Sequence, residues 1–246
     1  MLEVINVNKT YKKPAIFSTK RQCILNDVTF SLNQGECLGI IGESGSGKST
    51  LGRLILGIEK PDSGSILMDG QDVCKTKNRR GVMSAVFQDY SSSINPNMTV
   101  CEAIKEPMDV LGKYYNQELM INLLARVGLN DSYMGRYQHE LSGGEAQRVC
   151  IARALSTNPK FLLLDEAISS LDVSVQVQIL DLLKELRAEY NMSYLFITHD
   201  MPAAAYLCDR LIIFHAGMIV EETPIENIGG VKEAYSKKLL NAVITL

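Results

Sequence analysis

A glycine-rich stretch in the N-terminal quarter of the chain has the residue types needed to hold phosphate groups. Residues 42–49 have the sequence GESGSGKS, which fits the pattern G-x-x-x-x-G-K-[ST], and they lie between a predicted strand and a predicted helix. Glycines let backbone N–H groups turn inward around phosphate oxygens, and the positive end of the following helix adds to the attraction. Lys48 is expected to reach the β and γ phosphates of a nucleotide, and the Ser49 hydroxyl to bind Mg²⁺. The predicted nucleotide-binding residues here are Gly42, Glu43, Ser44, Gly45, Ser46, Gly47, Lys48, Ser49 and Thr50.

Two acidic residues follow an apolar strand further along the chain. Residues 161–164 are apolar and are followed by Asp165 and Glu166, at the end of the strand where ligands of open α/β sheets bind. Asp165 is expected to support magnesium, and Glu166 to orient and deprotonate an attacking water molecule. An acidic helix start after a core strand is the ordinary alternative. The phosphate-loop pattern upstream favours the catalytic interpretation.

A second candidate anion site lies at residues 141–148, which have the sequence LSGGEAQR. Ser142 and the N–H groups of Gly143 and Gly144 are predicted to begin a helix, and a helix start attracts anions. An ordinary serine N-cap with Glu145 in the first turn explains the helix start but not the paired glycines. This segment resembles the signature sequence of the ATP-binding cassette (ABC) ATPases. In that family each signature closes over the γ phosphate held by the partner subunit.

The resemblance covers about residues 1 to 225 and implies roles for further residues. By resemblance, Tyr11 stacks on adenine and Gln88 contacts magnesium and water. Asp172 matches the loop that crosses the dimer interface, and His199 matches the switch histidine that reaches the γ phosphate. A surface tyrosine and a structural histidine are the ordinary alternatives for Tyr11 and His199. The predicted catalytic residues are therefore Lys48, Gln88, Glu166 and His199, and the predicted metal ligands are Ser49, Gln88 and Asp165.

Two segments resemble one particular branch of the family. Residues 87–89 (FQD) and 95–100 (NPNMTV) look like the oligopeptide and nickel importer branch. Other positions depart from the family pattern, since Ala167-Ile168 replaces the usual Pro-Thr and Glu145 stands where glutamine is frequent. Neither departure removes a group that touches nucleotide, so the ATP chemistry implied by the resemblance is retained.

The alternation of elements predicts an α/β fold, a phosphate-loop NTPase core with a mostly parallel sheet. An N-terminal antiparallel β subdomain and an inserted α-helical subdomain accompany this core. We expect one ABC ATPase domain, with residues 1–89 and 145–246 forming the core and residues 90–144 the helical subdomain, and a basic loop from Lys12 to Arg21. The predicted strands are 2–7, 28–32, 37–41, 65–68, 82–87, 161–164, 193–197, 210–215 and 218–222, and the predicted helices include 100–111, 116–127, 145–154, 173–189 and 232–241.

The composition excludes several classes of protein. The chain has 246 residues, of which 46% are hydrophobic and 22% charged, as in an ordinary globular domain. A net charge of -3 without a basic patch disfavours nucleic-acid binding. No apolar run approaches the roughly 18 residues of a membrane span, and the N-terminus lacks a signal-peptide pattern. The six cysteines form no Cys-x-x-Cys pair, so we predict reduced thiols and no zinc or iron-sulfur site.

These observations predict an ATP-hydrolysing subunit that energises an ABC importer for peptides, nickel or metal-chelate complexes, at the cytoplasmic face of the membrane. The expected partners are a second ATPase subunit, a different chain, two membrane-spanning permease subunits and, indirectly, an extracytoplasmic solute-binding protein. A soluble ABC ATPase with a mechanical or regulatory role is one alternative, although it would need a coiled-coil insertion or tandem cassettes. A module that binds ATP without hydrolysing it is another, and Glu166 and His199 argue against it.

Overall fold

A computed structural model describes residues 1–12 and 21–244, which fall into two compact units. The first unit comprises Met1–Arg79 and Ser193–Leu246, and the second comprises Arg80–Met192. Apart from its two end residues, the predicted basic loop from Lys12 to Arg21 lies outside the described residues. The predicted division at residues 90–144 does not coincide with these units and stays a prediction.

The elements alternate along the described chain. The strands are β1 Leu2–Lys12, β2 Arg21–Leu32, β3 Cys37–Ile41, β4 Ser63–Met68, β5 Gln71–Asp72, β6 Met83–Phe87, β7 Phe161–Asp165, β8 Ser193–Thr198, β9 Arg210–His215 and β10 Met218–Pro224. The helices are α1 Lys48–Ile55, α2 Thr76–Arg79, α3 Tyr90–Ser93, α4 Val100–Val110, α5 Gln117–Arg126, α6 Gly143–Leu155, α7 Val173–Tyr190, α8 Met201–Leu207 and α9 Ala234–Ile244.

The first unit contains an antiparallel sheet with the strand order β2-β1-β4-β5. Leu2 and Val4 of β1 point into the core in the alternating pattern of a strand with one covered face. A register shift after Val4 returns Val7 to the core as well. β1 and β2 remain paired as far as Lys12 and Arg21. Both strands are longer than predicted because backbone pairing continues after the apolar alternation stops.

The first unit also contains a mixed sheet in which β10, β9, β3 and β8 are neighbours in that order. β3 is parallel to β8 and β9, whereas β9 and β10 form the predicted antiparallel hairpin. Every residue of β3 and β8 is buried, as expected for parallel strands covered on both faces. Parallel strands end at the same edge of a sheet, so the loops after β3 and β8 start side by side.

The helix α8 follows β8 and is absent from the sequence prediction. Its N-cap is Asp200, whose carboxylate accepts a hydrogen bond from the Ala203 backbone N–H at 3.0 Å. Pro202 lies in the first turn, where a missing N–H has no cost. The helix has only seven residues, which is too short for a clear apolar period.

The second unit pairs β6 with β7 in parallel and packs α6 against α3, α4, α5 and β6. α4 starts at a capping box in which Thr99 and Glu102 each accept from the other's backbone N–H. Asn116 caps α5 by accepting from the Leu119 backbone N–H at 2.9 Å. Residues 90–144 contain the helices α3, α4 and α5 together with turns, and their assignment as a separate helical subdomain stays a prediction.

No helix in the described ranges is both long and apolar enough to cross a bilayer. The 18-residue α7 carries charged residues from its midpoint onward, including Asp181, Lys184 and Glu185. Its buried residues lie three and four apart on one face, as at Ile179, Leu183 and Leu186, and this face packs on the core. α7 is therefore an amphipathic helix of a globular unit.

Candidate active site

The loop between β3 and α1 starts with a glycine because the backbone of β9 lies directly beside it. A Cβ atom added at Gly42 would be 2.0 Å from the carbonyl oxygen of Phe214. Gly45 and Gly47 have φ angles of 80° and 109°, in the left-handed region that glycine adopts without strain. The loop then passes into α1 at Lys48. This is the strand, loop and helix arrangement that the phosphate-loop pattern requires.

Lys48 is the first residue of α1 and is 6% exposed. Its Nζ donates hydrogen bonds to the carbonyl oxygens of Gly42 at 2.6 Å and Glu43 at 2.9 Å. The ammonium group therefore lies over the start of the loop. Its positive charge adds to that of the N-terminal end of the α1 dipole, and both favour a bound anion.

His199 reaches the same edge of the mixed sheet. Ile41 at the end of β3 pairs with Thr198 at the end of β8, so Gly42 and His199 begin neighbouring loops. His199 is exposed, whereas every residue of β8 before it is buried. The structure thus places the start of the His199 loop beside the start of the phosphate loop, and the contact of His199 with the γ phosphate stays a prediction.

Tyr11 is half-buried near the end of β1 and is tied to α1 through a carboxylate. Its hydroxyl donates to Oε2 of Glu59 at 2.5 Å, and Nε of Arg53 in α1 donates to Oε1 of Glu59 at 2.9 Å. Burial raises the pKa of Tyr11, and the hydrogen bond to Glu59 raises it further, so the phenol is protonated at neutral pH. The predicted adenine-stacking ring is therefore held by its hydroxyl end against the helix that follows the phosphate loop.

In the second unit, the predicted magnesium and water residues lie at the carboxyl ends of β6 and β7. Phe87 pairs with Asp165 in this parallel pair, so Gln88 and Glu166 follow neighbouring strand ends. Asp165 is buried. Glu166 has a φ of 52°, which is uncommon for a residue other than glycine and is concentrated at functional sites. Its carbonyl oxygen accepts from the backbone N–H of Ser169 at 3.2 Å and from the Ser169 hydroxyl at 3.0 Å, which holds this turn.

The predicted signature begins α6 with a capping box. The Ser142 hydroxyl oxygen accepts from the Glu145 backbone N–H at 3.3 Å, and the Glu145 carboxylate accepts from the Ser142 backbone N–H at 2.7 Å. A capping box satisfies the N–H of the third helical residue and leaves those of the first two for another acceptor. In α6 those two residues are Gly143 and Gly144, so the helix start can receive an anion.

The paired glycines of the signature also have a packing role. A Cβ atom at Gly144 would be 2.7 Å from Cγ1 of Val175 in α7, and one at Gly143 would be 2.9 Å from the Tyr90 hydroxyl oxygen. Both contacts lie within the second unit. The glycines therefore allow close approach to α3 and α7, a reason that the sequence pattern does not contain.

Gln147 connects α6 to the residues that follow β7, and this contact was not predicted from the sequence. This α6 side chain is 1% exposed, and its Nε2 donates to the Ala167 carbonyl oxygen at 2.6 Å. Gln176 of α7 donates to the neighbouring Ile168 carbonyl at 3.1 Å. Both bonds use backbone carbonyls, which any residue offers, so they accommodate Ala167-Ile168 in place of Pro-Thr. Distance along the chain hides the contact between Gln147 and Ala167 from any local pattern.

The predicted site residues are divided between the two units. Asp172 is the exposed N-cap residue of α7, and its carboxylate makes no capping hydrogen bond. The first unit holds Tyr11, residues 42–50 and His199; the second holds Gln88, residues 142–144, Asp165, Glu166 and Asp172. The roles of these residues in the reaction stay predictions.

The donor atoms of the predicted magnesium ligands suit that ion. Ser49, Gln88 and Asp165 offer hydroxyl, amide and carboxylate oxygens. Magnesium is commonly bound by one or two carboxylates together with substrate phosphates. Within the described residues, no cluster of three or more His, Cys, Asp or Glu side chains could hold a metal. The chemistry therefore fits a magnesium ion that binds together with a nucleotide.

Several known proteins are similar to this chain in sequence. The ABC transporter family profile matches residues 25–169. The metal-staphylopine import system ATP-binding protein CntF of Staphylococcus aureus is 50% identical, and the match covers 98% of each chain. The oligopeptide transport ATP-binding protein AppF of Bacillus subtilis is 43% identical over 91% of this chain and 71% of its own. The nickel import ATP-binding protein NikE of Rhodospirillum rubrum is 37% identical over 96% of this chain and 89% of its own.

A solved structure of an ATP-binding cassette has a similar fold. The dimeric structure of the ATP-binding cassette MJ0796 in a post-hydrolysis state, bound to ADP and Pi, superposes with a TM-score of 0.80 at 30% identity. The match covers 92% of this chain and 99% of that one. The strand, loop and helix around Lys48 are those of a phosphate-loop nucleotide-binding protein. The chain belongs to the ABC transporter family, which confirms the predicted α/β fold class and ATPase activity.

Proposed function

We propose that this chain is the ATP-hydrolysing subunit of an ABC importer and that the cargo is a metal-chelate complex. One observation carries the assignment to a two-subunit ATPase: among the described residues, the phosphate loop and the signature at residues 142–144 each lead into a helix with glycine N–H groups suited to an anion, whereas the predicted magnesium and water chemistry rests on a single acidic pair, Asp165 and Glu166. The 50% identity to the metal-staphylopine relative over 98% of both chains supports this cargo over the peptides and nickel of the less similar relatives.

Nucleotide binding is assigned to the first unit. The Tyr11 ring stacks on adenine, and the backbone N–H groups of residues 42–50 surround the phosphates. Lys48 exchanges its hydrogen bonds to the Gly42 and Glu43 carbonyls for phosphate oxygens.

Ser49, Gln88 and Asp165 are the residues that would hold magnesium. When bound, the ion neutralises charge on the β and γ phosphates. Asp165 is suited to this role because it is buried at a strand end. The neighbouring Gln88 is exposed and can also contact water.

Hydrolysis is assigned to Glu166 and His199. The Glu166 carboxylate accepts a proton from water as the water oxygen forms a bond to the γ phosphorus and the bond to the ADP oxygen breaks. The Ser169 contacts to the Glu166 carbonyl fix the backbone that aims this carboxylate. His199 contacts the γ phosphate next to the phosphate loop, and ADP and inorganic phosphate leave when the dimer reopens.

The signature acts on the partner subunit's nucleotide. Ser142, Gly143 and Gly144 present a hydroxyl and two N–H groups to the γ phosphate bound by the partner, and Asp172 lies at the interface. The exposure of Ser142 and Asp172 supports this role. We propose that the partner is a different ATPase chain of the same importer.

The permease contacts the second unit at a cavity of about 310 Å³ beside the end of β6. Phe87, Ser92 and Arg153 are among its lining residues. Arg153 is paired with Glu106 of α4 at 2.6 Å. Phe87 immediately precedes Gln88 in the chain, so a permease segment seated in the cavity can act on Gln88 through the end of β6. Two permease subunits, with an extracytoplasmic solute-binding protein beyond them, place the chain at the cytoplasmic face of the membrane.

Uptake by cells of the source organism tests the proposal. A strain lacking the chain is complemented with the wild type or with Lys48→Ala, and uptake of nickel-staphylopine and of a labelled tripeptide is compared. We expect only the wild type to restore metal-chelate uptake, and tripeptide uptake to be equal in both strains. Loss of tripeptide uptake alone would identify a peptide importer. Normal uptake of both probes would favour the soluble, non-transport alternative.

A further inference from the structure

Tyr133 makes a direct contact with the signature that no sequence pattern predicts. It ends a short 3-10 helix, Asp131–Tyr133, in the second unit and is half-buried. Its hydroxyl donates to Oε1 of Glu145 at 2.5 Å. The Arg136 guanidinium lies 4.0 Å from the centre of the Tyr133 ring, a cation–π contact that fixes the ring.

Both oxygens of the Glu145 carboxylate are therefore engaged. Oε1 accepts from the Tyr133 hydroxyl, and Oε2 accepts from the Ser142 backbone N–H at 2.7 Å. The hydrogen bond from Tyr133 lowers the pKa of Glu145, and the bonds from Ser142 lower it further. The carboxylate is ionised at neutral pH and is held on the side of the helix start that faces Tyr133.

An ionised carboxylate at this position has opposing effects. Its negative charge is stabilised by the positive end of the α6 dipole, but it repels a phosphate that approaches the same helix start. A glutamine, frequent in the family at this position, has no such repulsion. A second hydrogen-bond donor to Glu145 would therefore help to keep its carboxylate in the capping box and away from the phosphate.

We propose that Tyr133 is a positioning residue for the signature. By holding the Glu145 carboxylate, it keeps Ser142 and the N–H groups of Gly143 and Gly144 arranged for the γ phosphate on the partner subunit. The inference rests on the proposed function, because that function supplies the phosphate.

The test compares Tyr133→Phe with wild type in the assembled importer. The variant keeps the ring and its contact with Arg136 but loses the hydroxyl. A hydrogen bond to a charged group is worth enough to change an equilibrium about tenfold, and partial exposure reduces this. We expect kcat for ATP hydrolysis to fall roughly threefold to tenfold. The isolated chain should keep its ATP affinity within about twofold, because the Tyr133 hydroxyl contacts Glu145 and not the phosphate loop.

Two comparisons make the result specific. Tyr114→Phe removes a hydroxyl from a side chain that is 84% exposed in the same unit, and its kcat should equal that of the wild type. In a Glu145→Gln background the acceptor is uncharged, so Tyr133→Phe should change kcat less than twofold.

Three outcomes decide between the proposals. An unchanged kcat in Tyr133→Phe overturns the inference. The inference is also overturned if Tyr133→Phe lowers kcat by the same factor in the wild-type and Glu145→Gln backgrounds. If the wild-type complex itself does not hydrolyse ATP, the proposed function fails, and this is seen before any variant is compared.

Discussion

Replacing Gly42 with alanine tests whether the phosphate loop is built as described. The added Cβ would lie 2.0 Å from the Phe214 carbonyl oxygen and 3.3 Å from the Ser46 hydroxyl oxygen. The backbones of β3 and β9 must separate by about 1 Å to relieve the first contact. Both strands are paired in the mixed sheet, with Ile41 beside Ile213, so neither can move alone.

The magnitude follows from this geometry. Overpacking of a well-packed site costs about 1 to 3 kcal/mol, and a clash with backbone belongs at the upper end of that range. For a chain of this size, about 3 kcal/mol lowers the unfolding temperature by roughly 6 to 12 °C. ATP affinity should fall as well, because the loop that surrounds the phosphates begins at Gly42.

Thermal unfolding followed by circular dichroism measures the effect, and titration with a fluorescent ATP analogue measures the affinity. Gly229→Ala is the matched control, since a Cβ there meets nothing within 4 Å. We expect the control to unfold within about 1 °C of the wild type. A Gly42→Ala protein that unfolds within about 2 °C of the wild type would refute the close approach of β9 to the loop.

Two further substitutions separate the chain's own nucleotide site from the one it completes on a partner. Lys48→Ala removes the ammonium group assigned to the phosphates, so ATP affinity should fall at least about tenfold in the same titration; unchanged affinity would contradict the assignment of this loop. Ser142→Arg should leave ATP affinity of the isolated chain within about twofold but abolish ATP-dependent dimer formation, measured by size-exclusion chromatography. Loss of nucleotide binding by the isolated Ser142→Arg chain would show that the signature serves the chain's own site.

The parts of the molecule that the sequence predicts well are those encoded by contiguous residues. β3 has its predicted bounds, and the loop and helix after it follow directly from the glycine spacing and the apolar positions of α1. The same holds for the capping box at Ser142, since both of its residues lie within one turn of helix. Elements and caps that are encoded within a few consecutive residues can therefore be predicted from the sequence.

The contacts that depend on tertiary packing could not be predicted. The need for glycine at Gly42 arises from the β9 backbone, and Gln147 meets Ala167 only because α6 packs beside the end of β7. Tyr133 lies 12 residues before Glu145, and the short 3-10 helix that presents it has no apolar period. Distances of this kind depend on several elements at once, so no local pattern contains them.

In the proposed mechanism, Glu166 removes the proton from the attacking water while other residues hold ATP. Glu166→Gln keeps the shape of the side chain but removes the basic group, which costs about 10² to 10⁴ in rate for a positioned general base. With the partner subunit changed in the same way, we predict that the complex retains ATP and accumulates as a closed dimer in the presence of magnesium. The decisive measurement is the ATP hydrolysis rate of this complex together with its bound nucleotide. Retained ATP with hydrolysis reduced at least about 100-fold supports the account, and hydrolysis near the wild-type rate would contradict it.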